Sequence, residues 1–141
     1  MYHSETQVRV RYAETDQMGY VYYGNYAVYF EVARVEMLRT LGFSYKKLED
    51  EGVMLPVLNF SIKYIRPAYY DSLLTIKTTI PEIPSARIHF NYETFNERNE
   101  LINTAETTLV FVSKKTGRPT IPPEDLLEAL IPHFELKPGS V

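Results

Sequence analysis

Asp16 lies in a stretch whose residue types and order suit acyl-transfer chemistry: Arg11-Tyr12-Ala13-Glu14-Thr15-Asp16-Gln17-Met18-Gly19-Tyr20-Val21-Tyr22-Tyr23-Gly24-Asn25-Tyr26. The segment leaves a short alternating strand, crosses a turn-prone loop with two glycines, and runs into the longest helical pattern of the chain. A helix N-terminus carries unsatisfied N–H groups and a partial positive charge. A carbonyl oxygen set against those groups is polarised, and a nearby carboxylate can attack the carbonyl or activate water. Asp16 is that carboxylate, Tyr23 offers a backbone N–H where the helix begins, and Gly19 and Gly24 allow close backbone approach. The competing reading of Asp16 is a turn residue that hydrogen-bonds its own backbone. Its place just before a helix start brings the two readings to about even weight.

Tyr12, Tyr20, Tyr22, Tyr23 and Tyr26 crowd the same region. Packing and an oligomer interface are the better reading of these side chains, because a tyrosine ring packs while its hydroxyl stays hydrogen-bonded. Other chemistries lack their parts. There is no cysteine, and His3, His89 and His133 stand far apart without ligand spacing, so no metal site is expected. His89 reads as a hydrogen-bonded sheet residue. No Gly-x-Ser-x-Gly elbow, phosphate loop or dinucleotide fingerprint occurs, which removes the ordinary hydrolase, kinase and dehydrogenase readings.

The elements that must hold these residues follow from periodicity. Thr6 to Ala13 alternates, with Val8, Val10 and Tyr12 on one face, and predicts a half-exposed strand. From Asn25, a plausible N-cap, the period becomes helical: Tyr26, Tyr29, Phe30, Ala33, Met37, Leu38 and Leu41 form one broad stripe, ended by Gly42. Glu31 with Arg34, and Glu36 with Arg39, have the spacing of surface pairs. So wide an aromatic stripe predicts a helix mostly wrapped by other structure. Ser44 to Glu51 predicts a second, short helix capped by Ser44. Strands are then expected over Val53–Ile65, Leu73–Ile80, Ala86–Phe95 and Leu101–Ser113, with a small helix over Glu124–Leu130 and a loose tail from Pro132. One long helix followed by a meander of antiparallel strands is an α+β architecture, in which one sheet curls around one helix.

At 141 residues the chain is expected to form one domain over 1–141, large enough to need no disulfide or metal staple. Its net charge is −3, with both signs interspersed, and Lys46-Lys47 and Lys114-Lys115 are isolated pairs, so no nucleic-acid partner is expected. No run approaches the ~18 apolar residues of a membrane span. The first residues lack the basic start and apolar core of a signal peptide, and a cytoplasmic location is expected.

The Arg11–Gly19 run, with Val21-Tyr22-Tyr23-Gly24-Asn25-Tyr26 and Phe30-Glu31-Val32-Ala33-Arg34, resembles the acyl-CoA thioesterases of the hot-dog fold. In particular it is similar to the 4-hydroxybenzoyl-CoA thioesterase family and its bacterial relatives that act on short acyl-CoAs. The likeness continues through Tyr64-Ile65-Arg66-Pro67-Ala68-Tyr69-Tyr70-Asp71 and Phe111–Pro119. The resemblance implies one long helix wrapped by a five-stranded antiparallel sheet, and hydrolysis of an acyl-CoA, short aliphatic or aryl, without cofactor or metal. It implies that Asp16 is nucleophile or general base, that the Tyr23 N–H polarises the thioester carbonyl, and that Tyr12 supports the site. Many bacterial relatives carry a histidine where this chain has Tyr23; the hydroxybenzoyl type has a tyrosine. Sites of this fold lie between subunits, so a homodimer or homotetramer is expected. Gly24 is expected at the substrate, and Lys63, Arg66, Arg87, Lys114, Lys115 and Arg118 are candidate cations for CoA phosphates, of which Arg66, Lys63 and Arg87 are taken as substrate-binding. Two other readings remain: a non-catalytic hot-dog module that binds acyl thioesters or acyl-carrier protein, and, more remotely, a dehydratase.

Overall fold

The computed structural model describes residues 1–134. Strand β1 (Tyr2–Arg9) pairs antiparallel along its whole length with β4 (Leu73–Ile80). Helix α1 (Asn25–Thr40) and the short α2 (Tyr45–Asp50) follow β1 in the chain. Next come β2 (Val53–Met54), β3 (Val57–Tyr64), β4, β5 (Arg87–Phe95), β6 (Leu101–Val110), β7 (Val112–Ser113) and α3 (Glu124–Leu130). The main sheet has five strands in the order β1-β4-β5-β6-β3, all antiparallel, and β2 pairs with β7 in a separate ladder.

The alternation of Leu74, Ile76, Thr78 and Ile80 puts those side chains on the inner face of β4, where all are buried. Ile88, Phe90 and Tyr92 do the same on β5. Against this face α1 lays Tyr26, Tyr29, Phe30, Ala33, Met37 and Leu38. Phe30 stacks on Tyr92 with ring centres 4.4 Å apart and meets the edge of Phe60 at 6.0 Å. Fully burying a side chain of this size stabilises by about 1.5–3 kcal/mol, so the helix is held by its stripe rather than by propensity.

Several expectations need correction. The first strand starts at Tyr2 and stops at Arg9. A 3-10 turn over Tyr12–Glu14 replaces its expected end, because the Glu14 carboxylate captures the Arg11 N–H and the Glu14 N–H returns to the Arg11 carbonyl. The run Val53–Ile65 is broken at Leu55-Pro56 into β2 and β3, as a proline without an N–H requires. Leu101–Ser113 is likewise interrupted at Phe111, whose N–H turns to Ala86. The strands are not a simple meander. The segment 65–72 crosses over, leaving β3 at one edge beside β6 and placing β4 between β1 and β5.

Helix α1 is covered on one side only; Val28 and Val32 on its outer face are exposed. The expected Glu31–Arg34 pair gives way to a buried arginine. Arg34 lies one turn beyond Phe30 on the inner stripe and donates to the Tyr45 and Tyr92 hydroxyls at 3.3 and 3.1 Å. Glu36 and Arg39 do pair, at 3.5 Å. Gly24, not Asn25, occupies the N-cap position of α1. Gly42 takes a positive φ of 83° just past the helix, where a side chain would be strained, and Ser44 caps α2 by accepting the Lys47 N–H. Of the tail from Pro132, residues 131–133 form a 3-10 turn whose His133 carbonyl accepts the N-terminal ammonium; the remainder, from 135, lies outside the described residues.

Candidate active site

Between the end of β1 and the start of α1 the chain folds back on itself. The Tyr22 N–H donates to the Glu14 carbonyl at 2.8 Å, Thr15 bridges Val21, and the Asp16 N–H donates to the Tyr20 carbonyl at 2.8 Å. The result is a small hairpin with Asp16 on one arm and Tyr23 where the other arm meets the helix. Gly19, at its tip, has a φ of 78° and donates to the Asp16 carbonyl. A second layer ties the hairpin to the crossover segment: the Val21 N–H donates to Ala68, and Tyr20 bridges Tyr69.

The turn reading of Asp16 holds, and it uses only half of the carboxylate. Oδ1 accepts the N–H groups of Met18 and Tyr20 at 2.9 and 3.2 Å, an Asx turn. No protein donor among the described residues engages Oδ2, and the side chain is exposed. Asp16 borders a cavity of about 310 Å³ shared with Tyr20, Val21, Tyr23, Tyr26, Tyr64, Ile65, Arg66 and Pro67. At the helix start, Asn25 and Tyr26 donate to the carbonyls of Tyr22 and Tyr23. The N–H groups of Tyr23 and Gly24 have no protein acceptor among the described residues. An unengaged carboxylate oxygen of Asp16 and the unengaged N–H of Tyr23 thus belong to residues bordering one hollow, and the Gly24 N–H is next in the chain.

The walls are tyrosines. Tyr26 is buried, and burial, with Tyr64 nearby, pushes its hydroxyl up to about 12, so it remains a neutral donor. The rings of Tyr26 and Tyr64 meet at 5.8 Å, and the Tyr64 hydroxyl donates to the Tyr23 carbonyl at 3.3 Å. Burial, followed by the neighbouring Tyr23, also raises the Tyr64 hydroxyl. Larger hollows exist, including one of about 480 Å³ on the outer face of the sheet. The smaller one is the chemical candidate because it alone among these hollows has Asp16 in its wall.

The other residues singled out in the sequence scatter. Arg66 lines the Asp16 cavity and pairs with Glu100 at 3.6 Å. Gly24 is outside the cavity lining and follows Tyr23, which is part of it. Tyr12 is 77% exposed and packs edge-on against Tyr70, outside the cavity lining. Lys63 belongs to the outer hollow, because strand alternation turns it away from Tyr64. Arg87 begins β5, seven residues from Thr94, which stands beside Asn103 and hence near Tyr64. At about 3.3 Å per residue that is roughly 23 Å. Residue type and spacing assign no role in the site to the side chains of Tyr26 and Tyr64; the motif Tyr64-Ile65-Arg66-Pro67 is the only signal for Tyr64. His89 bonds Thr108 at 2.8 Å, as a sheet residue should. Among the described residues no group of His, Cys, Asp and Glu could hold a metal, and no helix is long and apolar enough to cross a membrane.

One long helix across a five-stranded antiparallel sheet, with its N-terminus set against a looped carboxylate, is the hot-dog architecture of thioesterases. Residues 10–130 match the model of the thioesterase-like superfamily, and the chain belongs to that family. It is 36% identical to the putative acyl-CoA thioesterase YneP of Bacillus subtilis over 119 residues, covering 84% of this chain and 86% of that protein. It is 35% identical to the acyl-CoA thioester hydrolase YbgC of Escherichia coli over 120 residues, covering 85% and 90%. The crystal structure of a DHNA-CoA thioesterase from Staphylococcus aureus superposes with a TM-score of 0.88 at 35% identity, covering 97% and 98%.

Proposed function

We propose that the Asp16 cavity is where an acyl-CoA thioester is cleaved, with Asp16 as the reacting carboxylate and the N–H groups of Tyr23 and Gly24 as donors to the thioester carbonyl. The reaction class is acyl-CoA thioester hydrolysis, to free acid and CoA. The observation that carries the assignment is that Asp16, with one oxygen unengaged among the described residues, and Tyr23, whose helix-start amide is likewise unengaged, border the same hollow. Charge developing on the carbonyl oxygen is stabilised by preorganised donors at a positive helix end. The carboxylate either attacks the carbonyl carbon, expelling CoA thiolate and leaving a mixed anhydride for water to open, or takes a proton from the attacking water. In both routes the C–S bond breaks, water supplies the new acid oxygen, and the thiolate gains a proton.

A second copy completes the site in this proposal. Strand β3 is an edge with Val57, Leu58, Phe60 and Tyr64 exposed, Leu58 to 52%. Its unpaired backbone groups and apolar side chains invite another strand, and Tyr64 carries that edge into the Asp16 cavity. Within one protomer Arg66 is the one candidate cation at the cavity. Lys63 and Arg87 serve a CoA molecule at this site only if a partner subunit brings them there. We also infer that residues 1–141 work as one hot-dog unit, and that an acyl-carrier-protein thioester is the substrate to test after CoA esters.

The experiment follows free-thiol release from short aliphatic, long aliphatic and aryl CoA esters, with wild type beside Asp16→Asn. Turnover of one class that drops by roughly 10²–10⁴ in the variant supports the assignment. A variant as active as wild type removes Asp16 from the chemistry. Folded, oligomeric wild type that turns over no CoA or carrier-protein ester supports a binding module instead.

A further inference from the structure

Two residues before Asp16, Glu14 makes more hydrogen bonds than any other residue of the loop, and neither the cavity nor the proposed chemistry uses it. Its Oε1 accepts the Arg11 N–H at 2.8 Å and the Tyr29 hydroxyl at 2.9 Å. Its Oε2 accepts from the Arg11 guanidinium at 3.0 and 3.3 Å. Its carbonyl accepts both the Tyr22 N–H and the Asn25 side-chain amide at 2.8 Å, and its N–H donates to the Arg11 carbonyl. One residue thus joins the end of β1, the base of the Asp16 hairpin and the first two turns of α1. The Glu14 side chain is only 12% exposed and that of Arg11 is 78% exposed. The Tyr29 bond, more sheltered, is therefore the firmer of the two side-chain ties.

We infer that Glu14 is a positioning residue for hydrolysis: its carboxylate ties the base of the hairpin to Tyr29 of α1 and to Arg11, beside the bonds its backbone carbonyl accepts from Tyr22 and Asn25, and so fixes where the Asp16 arm stands relative to the Tyr23 and Gly24 amides. The geometry is direct. The amide that Glu14 accepts from Tyr22 precedes the Tyr23 amide by one residue, and Asp16 follows Glu14 by two. A displacement at this base moves the carboxylate and the carbonyl donors relative to each other, and catalysis is sensitive to shifts of about 1 Å. Burial alone would raise the Glu14 carboxyl; the Arg11 backbone and side chain and the Tyr29 hydroxyl outweigh it and hold the carboxyl below its ordinary range. Glu14 is therefore a charged acceptor at neutral pH. This inference rests on the assignment of Asp16 above.

The test uses the full chain and three variants: Glu14→Ala, Glu14→Gln and Tyr29→Phe, the last leaving Arg11 and Glu14 paired. For the CoA ester that wild type hydrolyses, Glu14→Ala should lower kcat by about 10- to 100-fold with KM within about twofold. Glu14→Gln, which keeps an acceptor for Tyr29 and the Arg11 N–H, should recover much of the loss, and Tyr29→Phe should fall between it and Glu14→Ala. Amide hydrogen exchange should quicken at Asp16 and Tyr22 in Glu14→Ala and Tyr29→Phe, while the interior of α1 keeps its protection. A lowered melting temperature with unchanged kcat would mark a merely structural residue and overturn the inference, as would a rise in KM at constant kcat. If wild type hydrolyses no ester, the Asp16 assignment itself has failed. Exchange then decides the tether alone, and unchanged exchange at Asp16 and Tyr22 overturns it.

Discussion

Two carboxylates two residues apart live in opposite environments. Glu14 is saturated: both oxygens accept from Arg11 or Tyr29, and its side chain is mostly buried. Asp16 spends one oxygen on the loop's own amides, and the other, beside a cavity, has no donor among the described residues. Residue type alone does not separate the acid proposed to react from the one proposed to position it. The proposal separates them by unused hydrogen-bonding capacity beside a cavity.

That contrast can be broken by exchanging its terms, starting with the largest expected effect. Asp16→Asn should remove about 10²–10⁴ of kcat while changing stability by no more than ~0.5 kcal/mol, since an amide oxygen still accepts from Met18 and Tyr20. Thiol release and a melting curve measure the two halves separately. Glu14→Ala should do the reverse in stability, costing about 1–3 kcal/mol by stranding the part-buried Tyr29 hydroxyl, with the exposed Arg11 arm discounted. Denaturant titration checks it.

The contrast also sharpens with pH. Because the folded-state pKa of Glu14 is depressed, its stabilisation is present above the ordinary glutamate value and is lost as pH falls through the lowered one. Wild type should therefore lose stability on acidification more steeply than Glu14→Gln, and a parallel pair of curves would refute the role. Smaller still, Tyr29→Phe should cost about 1 kcal/mol. At the sheet edge, the proposed pairing with a second copy predicts that Phe60→Lys or Leu58→Lys shifts the protein toward monomer with α1 still folded, read by light scattering and circular dichroism.

Much of the scaffold is legible in the chain. Strand β4 is readable at its observed bounds because Leu74, Ile76 and Ile80 recur with period two and a turn and Pro81 bracket it. The α1 stripe is readable nearly whole because 3.6-residue spacing needs no partner to be seen. Position in three dimensions is not legible. Phe60 alternates just as Phe90 does, yet Phe90 is in a central strand and Phe60 at an exposed edge. Arg34 has the spacing of a surface pair with Glu31, but hydroxyls from α2 and β5 draw it inward. The Asp16 loop announces itself through its residue types and its helix start. Glu14 does not, because its decisive partner, Tyr29, lies fifteen residues away on another element. Lys63 and Arg87 stand out by charge, and sheet face and strand end decide where a charge can act.

The most direct measurement is a crystal structure of Asp16→Asn with an unhydrolysed acyl-CoA. The proposed site predicts the thioester carbonyl oxygen within hydrogen-bond distance, about 2.7–3.2 Å, of the Tyr23 or Gly24 nitrogen, with the substituted side chain at position 16 beside the carbonyl carbon. An acyl-CoA whose thioester lies in the outer hollow near Lys63, or anywhere away from those amides, would contradict it.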